Sequence, residues 1–107
     1  MTTVPEIAGE GTGKGTDDLH AASELLKALA SSVRIGIVRE LADGAKRVHE
    51  LVSALGVSQP LVSQHLRVLR AHRIVTAQRQ AREVEYALPD EHLAHIVLDA
   101  IRHAQER

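Results

Sequence analysis

At 107 residues the chain is long enough for one domain and too short for two. A formal net charge of −1 excludes a blanket polycation, and the lack of any Cys excludes disulfides, thiolate metal sites and redox thiols. With one Tyr and neither Phe nor Trp, the core must be Leu, Val, Ile and Ala, and so modest a core gains from a second copy of the chain.

The opening residues, MTTVPEIAGEGTGKGT, are rich in Gly and Thr and show no hydrophobic period. Residues 1–16 are therefore expected to be a disordered tail, ahead of a domain spanning 17–107. They lack the basic-then-apolar order of a signal peptide, and no apolar run approaches the ~18 residues of a membrane span. The expectation is a cytoplasmic protein with no membrane partner.

Asp17 or Asp18 can cap a first helix, in which Leu19, Ala22, Leu26 and Leu29 recur at helical spacing up to about Ala30. Ser31 or Ser32 can cap a second, with the stripe Val33, Ile37, Val38 and Leu41, ended by Asp43-Gly44. Val48 to Leu55 reads as a short third helix burying Val48, Leu51, Val52 and Leu55, stopped by Gly56. Ser58 suits the N-cap of a fourth helix, Pro60 suits its first turn, and Val62, Leu66 and Leu69 fall on its inner face as it runs to Ala71 or His72.

The run IVTA from Ile74, the polar stretch QRQARE and the alternating Val84 to Leu88 predict a two-stranded hairpin. Pro89-Asp90 ends it, and Asp90 can cap a last helix. The fold class is thus mainly α with a small β-hairpin, in the order ααααββα. Two short helices around a Gly turn, followed by a hairpin, form a winged helix-turn-helix pattern.

Charge is unevenly placed. Leu51 to Arg82 contains no Asp or Glu, yet holds Arg67, Arg70, Arg73, Arg79 and Arg82 with His65 and His72. Positive charge confined to one helix and the hairpin after it is the footprint of a duplex-binding surface. With Leu66 inward, Gln64 and Arg67 point outward, Ser63 lies on the flank and Gln59 in the exposed first turn. Ser and Gln suit base edges, and Arg suits guanine or phosphate. Arg79, Gln80 and Arg82 at the hairpin tip are placed for a phosphate or the adjacent minor groove. Each residue taken alone is equally well a solvated surface residue; the pattern as a whole points to DNA.

The stretches LKALASSVRIGIVRELADG and VHELVSALGVSQPLVSQHLRVLRAHRIVTAQRQAREVEYAL, with the final helix, resemble the ArsR/SmtB family of bacterial metal-sensing repressors. The similarity covers roughly Leu19 to Arg107, and its flavour is that of zinc-responsive actinobacterial members. It implies a homodimer, joined through first and last helices, that sits on operator DNA and is released by metal. The family's thiolate site in the third helix is absent, since that helix reads HELVSAL.

The last helix, PDEHLAHIVLDAIRHAQER, carries an apolar stripe of Leu93, Val97, Ala100, Ile101 and Ala104, with Ile96 to one side. His92, Asp99, His103 and Glu106 cluster on a neighbouring strip, with His95 at its edge. Along one straight helix His92 and His103 lie about 16 Å apart, too far to share a metal whose bonds are ~2 Å. An antiparallel second copy would bring His92 beside its His103 and make the same site twice. Asp90 and His92 of one chain with His103 and Glu106 of the other form a tetrahedral N₂O₂ set, and the spacing matches the interfacial final-helix site of zinc-sensing members.

Such ligands suit Zn²⁺, and accept Co²⁺ or Ni²⁺, but not Cu(I) or arsenic(III). Imidazoles must be neutral to bind, so zinc affinity is expected to fall below about pH 6.5. The bland alternatives are an Asp90 that only caps, surface histidines at His92 and His95, and an Asp99 that is solvated or supports a ligand. The rival functions are the same repressor sensing cobalt, nickel or a non-metal signal, and a winged helix used for protein contacts. A hydrolase built on His92 and His95 lacks the HExxH pattern and a substrate cleft, so no enzyme and no small-molecule substrate are expected.

Overall fold

The computed structural model describes residues 13–106, and side chains from residue 15. The expected tail therefore lies outside the described residues as far as residue 12. Gly13 to Thr16 instead belong to α1 (Gly13–Leu29), which starts ahead of the Asp17 or Asp18 cap. Gly is a poor helix former, so the sequence signal favours Asp; but an added turn on an existing helix needs no new nucleus.

Helix α2 (Ser32–Leu41) begins where the Ser31 hydroxyl accepts from the Arg34 amide at 3.3 Å, and it buries Ile37, Val38 and Leu41. Helix α3 (Val48–Leu55) matches its predicted bounds and stops at Gly56, whose φ of 69° is left-handed. Gly36 lets α2 and α3 close together: a Cβ there would stand 2.8 Å from Leu55 Cδ2. Helix α4 (Gln59–Ala71) is capped by Ser58, whose hydroxyl accepts from the Leu61 amide, and turns Val62, Leu66 and Leu69 into the core.

The exit from α4 is a Schellman motif. The Ile74 amide donates to the Leu69 carbonyl at 2.9 Å, and the Arg73 amide donates to Arg70 at 3.0 Å. Arg73 sits at φ 60°, where Gly is usual, and Leu69 and Ile74 are both fully buried. Ile74 and Val75, read in sequence as the start of a strand, are core residues that precede it.

The sheet holds three strands rather than two: β1 (Lys46–Arg47), β2 (Thr76–Gln80) and β3 (Glu83–Ala87), in antiparallel order β1-β3-β2. Lys46 pairs with Tyr86 and Arg47 with Glu85. A strand so short has no alternation to read, and its partner is distant in sequence, so only the fold reveals it. Strands β2 and β3 pair from Thr76 with Ala87 to Gln80 with Glu83, which leaves Ala81 and Arg82 as the turn.

Asp90 caps α5 (Glu91–Gln105). The core runs from Ala28 and Leu29 at the end of α1, through α2, α3 and α4, to Leu93 and Val97 of α5. Among the described residues, no helix is long and apolar enough to cross a membrane.

Candidate nucleic-acid interface and metal centre

The inward set of α4 fixes what faces out. Gln59, Gln64 and Arg67 are exposed and Ser63 is half-buried, as the helical period requires with Val62, Leu66 and Leu69 beneath. On the wing, Arg79 and Gln80 lie at the end of β2 and Arg82 lies in the turn, all exposed. Among the described residues Arg67, Arg70, Arg73, Arg79 and Arg82 take part in no ion pair with a carboxylate. The first carboxylate after this span, Glu83, is drawn sideways to Arg47 at 3.5 Å and His49 at 3.8 Å.

A cleft of about 510 Å³ separates α4 from the wing, lined by Ser63, Leu66, Arg67, Arg70, Ala71 and Tyr86. Sequence reasoning marked neither Arg70 nor Tyr86 as a site residue. Arg70 was visible as part of the basic span. Tyr86 carried no signal, because its approach to α4 depends on how the wing folds back.

The expected metal donors divide into two groups. Asp90 Oδ1 accepts from the His92 amide at 2.8 Å and lies 3.4 Å from His92 Nδ1, so one carboxylate and one imidazole already stand together at the head of α5. Both are well exposed, at 50% and 88% of their side chains. His103 and Glu106 stand at the far end, where the Glu106 amide donates to the carbonyls of Arg102 and His103 and holds the last turn closed. Among the described residues no three His, Asp or Glu of one chain gather as a metal site. His95 is 3.9 Å from Glu91, which occupies it along its own helix, and Asp99 is exposed.

Between these ends runs an apolar surface. Leu26, Leu29, Ile35, Ile96, Ala100 and Ile101 border a groove of about 350 Å³ where α1, α2 and α5 meet. Leu19, Leu26 and Ile96 are 49%, 55% and 38% exposed there or nearby, which is costly for a chain standing alone.

Helix pair, capping turn and wing, with exposed cations along them, define a winged helix-turn-helix domain. A family profile described as bacterial regulatory protein, arsR family, matches residues 31–77. Over 88 residues the chain is 61% identical to the HTH-type transcriptional repressor SmtB of Mycobacterium tuberculosis, covering 82% of this chain. It spans only 65% of that relative's length. It is 37% identical to the HTH-type transcriptional regulator NmtR of the same species, covering 92% of this chain and 85% of that one. The homodimeric winged helix-turn-helix DNA-binding domain Mb0332 of Mycobacterium bovis superposes with a TM-score of 0.79 at 25% identity, covering 89% of this chain and 88% of that one. The chain belongs to the ArsR family of bacterial regulatory proteins. These relatives are regulators of transcription by their names.

Proposed function

We propose that the chain is a zinc-responsive transcriptional repressor that works as a homodimer on double-stranded operator DNA. The observation that carries the metal half is the Asp90–His92 pair, 3.4 Å apart and open to solvent at the head of α5. Its two donors need two more, and this chain's remaining pair, His103 and Glu106, stands at the other end of the same helix. A second copy running antiparallel supplies them, and the exposed apolar groove along α1 and α5 is the surface that would bring it there.

Imidazole and carboxylate donors fit Zn²⁺, with Co²⁺ and Ni²⁺ accepted by the same set. Bound metal would supply a fixed link between the two α5 helices. Asp90 and His92 of one chain and His103 and Glu106 of the other do the holding. The α4 helices, with Gln59, Ser63, Gln64 and Arg67, enter successive major grooves of a near-palindromic site, while Arg79, Gln80 and Arg82 reach the flanking backbone or minor groove. A linked pair of α5 helices selects a dimer whose α4 helices no longer match both half-sites. Linkage then makes the penalty reciprocal: whatever metal costs DNA binding, DNA costs metal binding. A hundredfold effect needs about 2.7 kcal/mol of coupling.

The test is zinc competition against a chelator of known strength, followed by DNA titration with and without metal. Binding near one zinc per chain, lost in His103→Ala, with weaker DNA binding in the zinc form, is the expected result. DNA affinity indifferent to saturating zinc would sink the zinc response and leave a repressor of the same fold with another signal.

A further inference from the structure

Where α4 lies in a major groove and the wing reaches toward the next minor groove, the backbone strand that divides those grooves must cross the cleft between them. That cleft has the chemistry of an anion host. Its lining offers the guanidiniums of Arg67 and Arg70 and the hydroxyls of Ser63 and Tyr86, and no carboxylate. Its floor is Leu66, which is buried, so a charge held above it is partly shielded from water.

Arg70 on α4 and Tyr86 on β3 both line this space, and Tyr86 also borders a second hollow beside Arg47 and Glu83. On α4, Arg70 lies roughly 40° from the buried Leu66 and Arg67 roughly 100°, so of the two cleft arginines Arg70 stands nearer the buried floor. Tyr86 is half-buried, its ring packed against the core. Among the described residues its hydroxyl has no hydrogen-bond partner. A partly buried Tyr hydroxyl ordinarily finds one.

We propose that the cleft holds one backbone phosphate of the duplex, with Arg70 and the Tyr86 hydroxyl as its donors. The proposal rests on the DNA-binding reading given above. The contact fixes the register of α4 on the duplex and reads no sequence. A guanidinium takes phosphate oxygens in a fork, and the fixed phenol adds a third hydrogen bond from the opposite wall.

Binding is measured by fluorescence anisotropy across a salt series. The probes are a short duplex that the chain selects from a random pool and a shuffled duplex of the same composition. Arg70→Gln is expected to weaken both by a similar factor, on the order of tenfold, and to flatten the log–log salt slope by about 0.9. Tyr86→Phe keeps the ring and the charge, and is expected to weaken both about three- to tenfold with the slope unchanged. A phosphate-contact scan with single methylphosphonates adds a third readout: one position per half-site costs the wild type affinity but costs Arg70→Gln nothing further.

An Arg70→Gln effect confined to the selected duplex would make Arg70 a base reader and overturn the proposal. So would an unaltered salt slope, or a Tyr86→Phe chain that binds like wild type. If the wild type selects no duplex and binds none with a salt slope, the DNA reading itself has failed, which is a different result from either variant matching wild type.

Discussion

The Arg34 guanidinium ties the end of α1 to the flank of α4: its Nε donates to the Ala28 carbonyl at 2.6 Å, and its Nη1 lies 3.1 Å from His65 Nδ1. Ala28 belongs to the last turn of α1, whose carbonyls have no partner within the helix. Arg can only donate, so His65 Nδ1 is the acceptor and its Nε2 carries the proton. One side chain thus caps one helix and locates another, and it does so beside Gln64 on α4. Arg34→Ala is expected to lower stability by about 2 kcal/mol, since two charge-assisted bonds are lost in a half-buried place. Arg34→Lys should recover less than half, because a single ammonium cannot span both acceptors. Urea denaturation measures this, and an Arg34→Ala chain within about 0.5 kcal/mol of wild type would show the bridge to be idle.

Asp90 separates cap from ligand. Its carboxylate accepts from the His92 amide and also lies against the His92 ring. Asn caps a helix about as well as Asp but brings no charge to a metal. Asp90→Asn should therefore leave apo stability within about 0.5 kcal/mol and weaken zinc binding, while Asp90→Ala should lose about 1 kcal/mol as well. Thermal melts of the apo chain, run beside chelator competition, distinguish the two variants. Zinc affinity unaltered in both would reduce Asp90 to a cap.

Leu26 stands 55% exposed in α1 at the rim of the apolar groove. In an interface with two-fold symmetry its exposed half is buried twice, and each such burial is worth about 0.8–1.7 kcal/mol. Leu26→Ser should weaken self-association by at least about tenfold and leave the helix content of the chain alone. Sedimentation equilibrium reads the dissociation constant. A Leu26→Ser chain that associates as tightly as wild type would move the dimer interface off α1.

The turn of the wing carries Ala81 at φ 57°, a left-handed conformation in a residue with a Cβ. That costs about 1 kcal/mol, which Gly avoids, less what Gly gives up in the unfolded chain. Ala81→Gly is expected to stabilise the protein by about 0.5 kcal/mol, seen as a higher urea midpoint with unchanged slope. A lower midpoint would mean that the Ala81 methyl makes a favourable contact outweighing the backbone strain.

Much of this architecture was legible because its signals are local. Ser31, Ser58 and Asp90 announce their helices through caps made to residues two or three positions on, and Gly56 announces the end of α3 through its own φ. The inner faces of α2 and α4 follow from period alone. What sequence could not give is what comes together across distance. The pairing of Lys46 with Tyr86 and of Arg47 with Glu85 depends on how the wing returns, and two residues show no period. Likewise Asp90 and His92 are neighbours by sequence and were readable as a pair, whereas Tyr86 borders the same cleft as Arg70 only because the wing packs back toward α4. The exposure of Leu19 and Leu26 was hidden for another reason: the helical period announces an apolar face but not what covers it.

The Schellman turn at the end of α4 has a consequence for the proposed reading of DNA. Because the Ile74 amide is bonded back to Leu69, and both side chains are locked in the core, the wing leaves α4 at a set angle. Each copy is then a rigid calliper, with the reach from major-groove helix to wing fixed at folding. In the proposed dimer only the separation and tilt of the callipers remain adjustable. A signal acting on α5 would change those two quantities alone, so it need not distort either reading head to be felt. An operator of the proposed kind would carry the complementary tolerance: a base pair inserted between half-sites should be as disruptive as the signal itself, while one inserted beyond the wings should pass unnoticed.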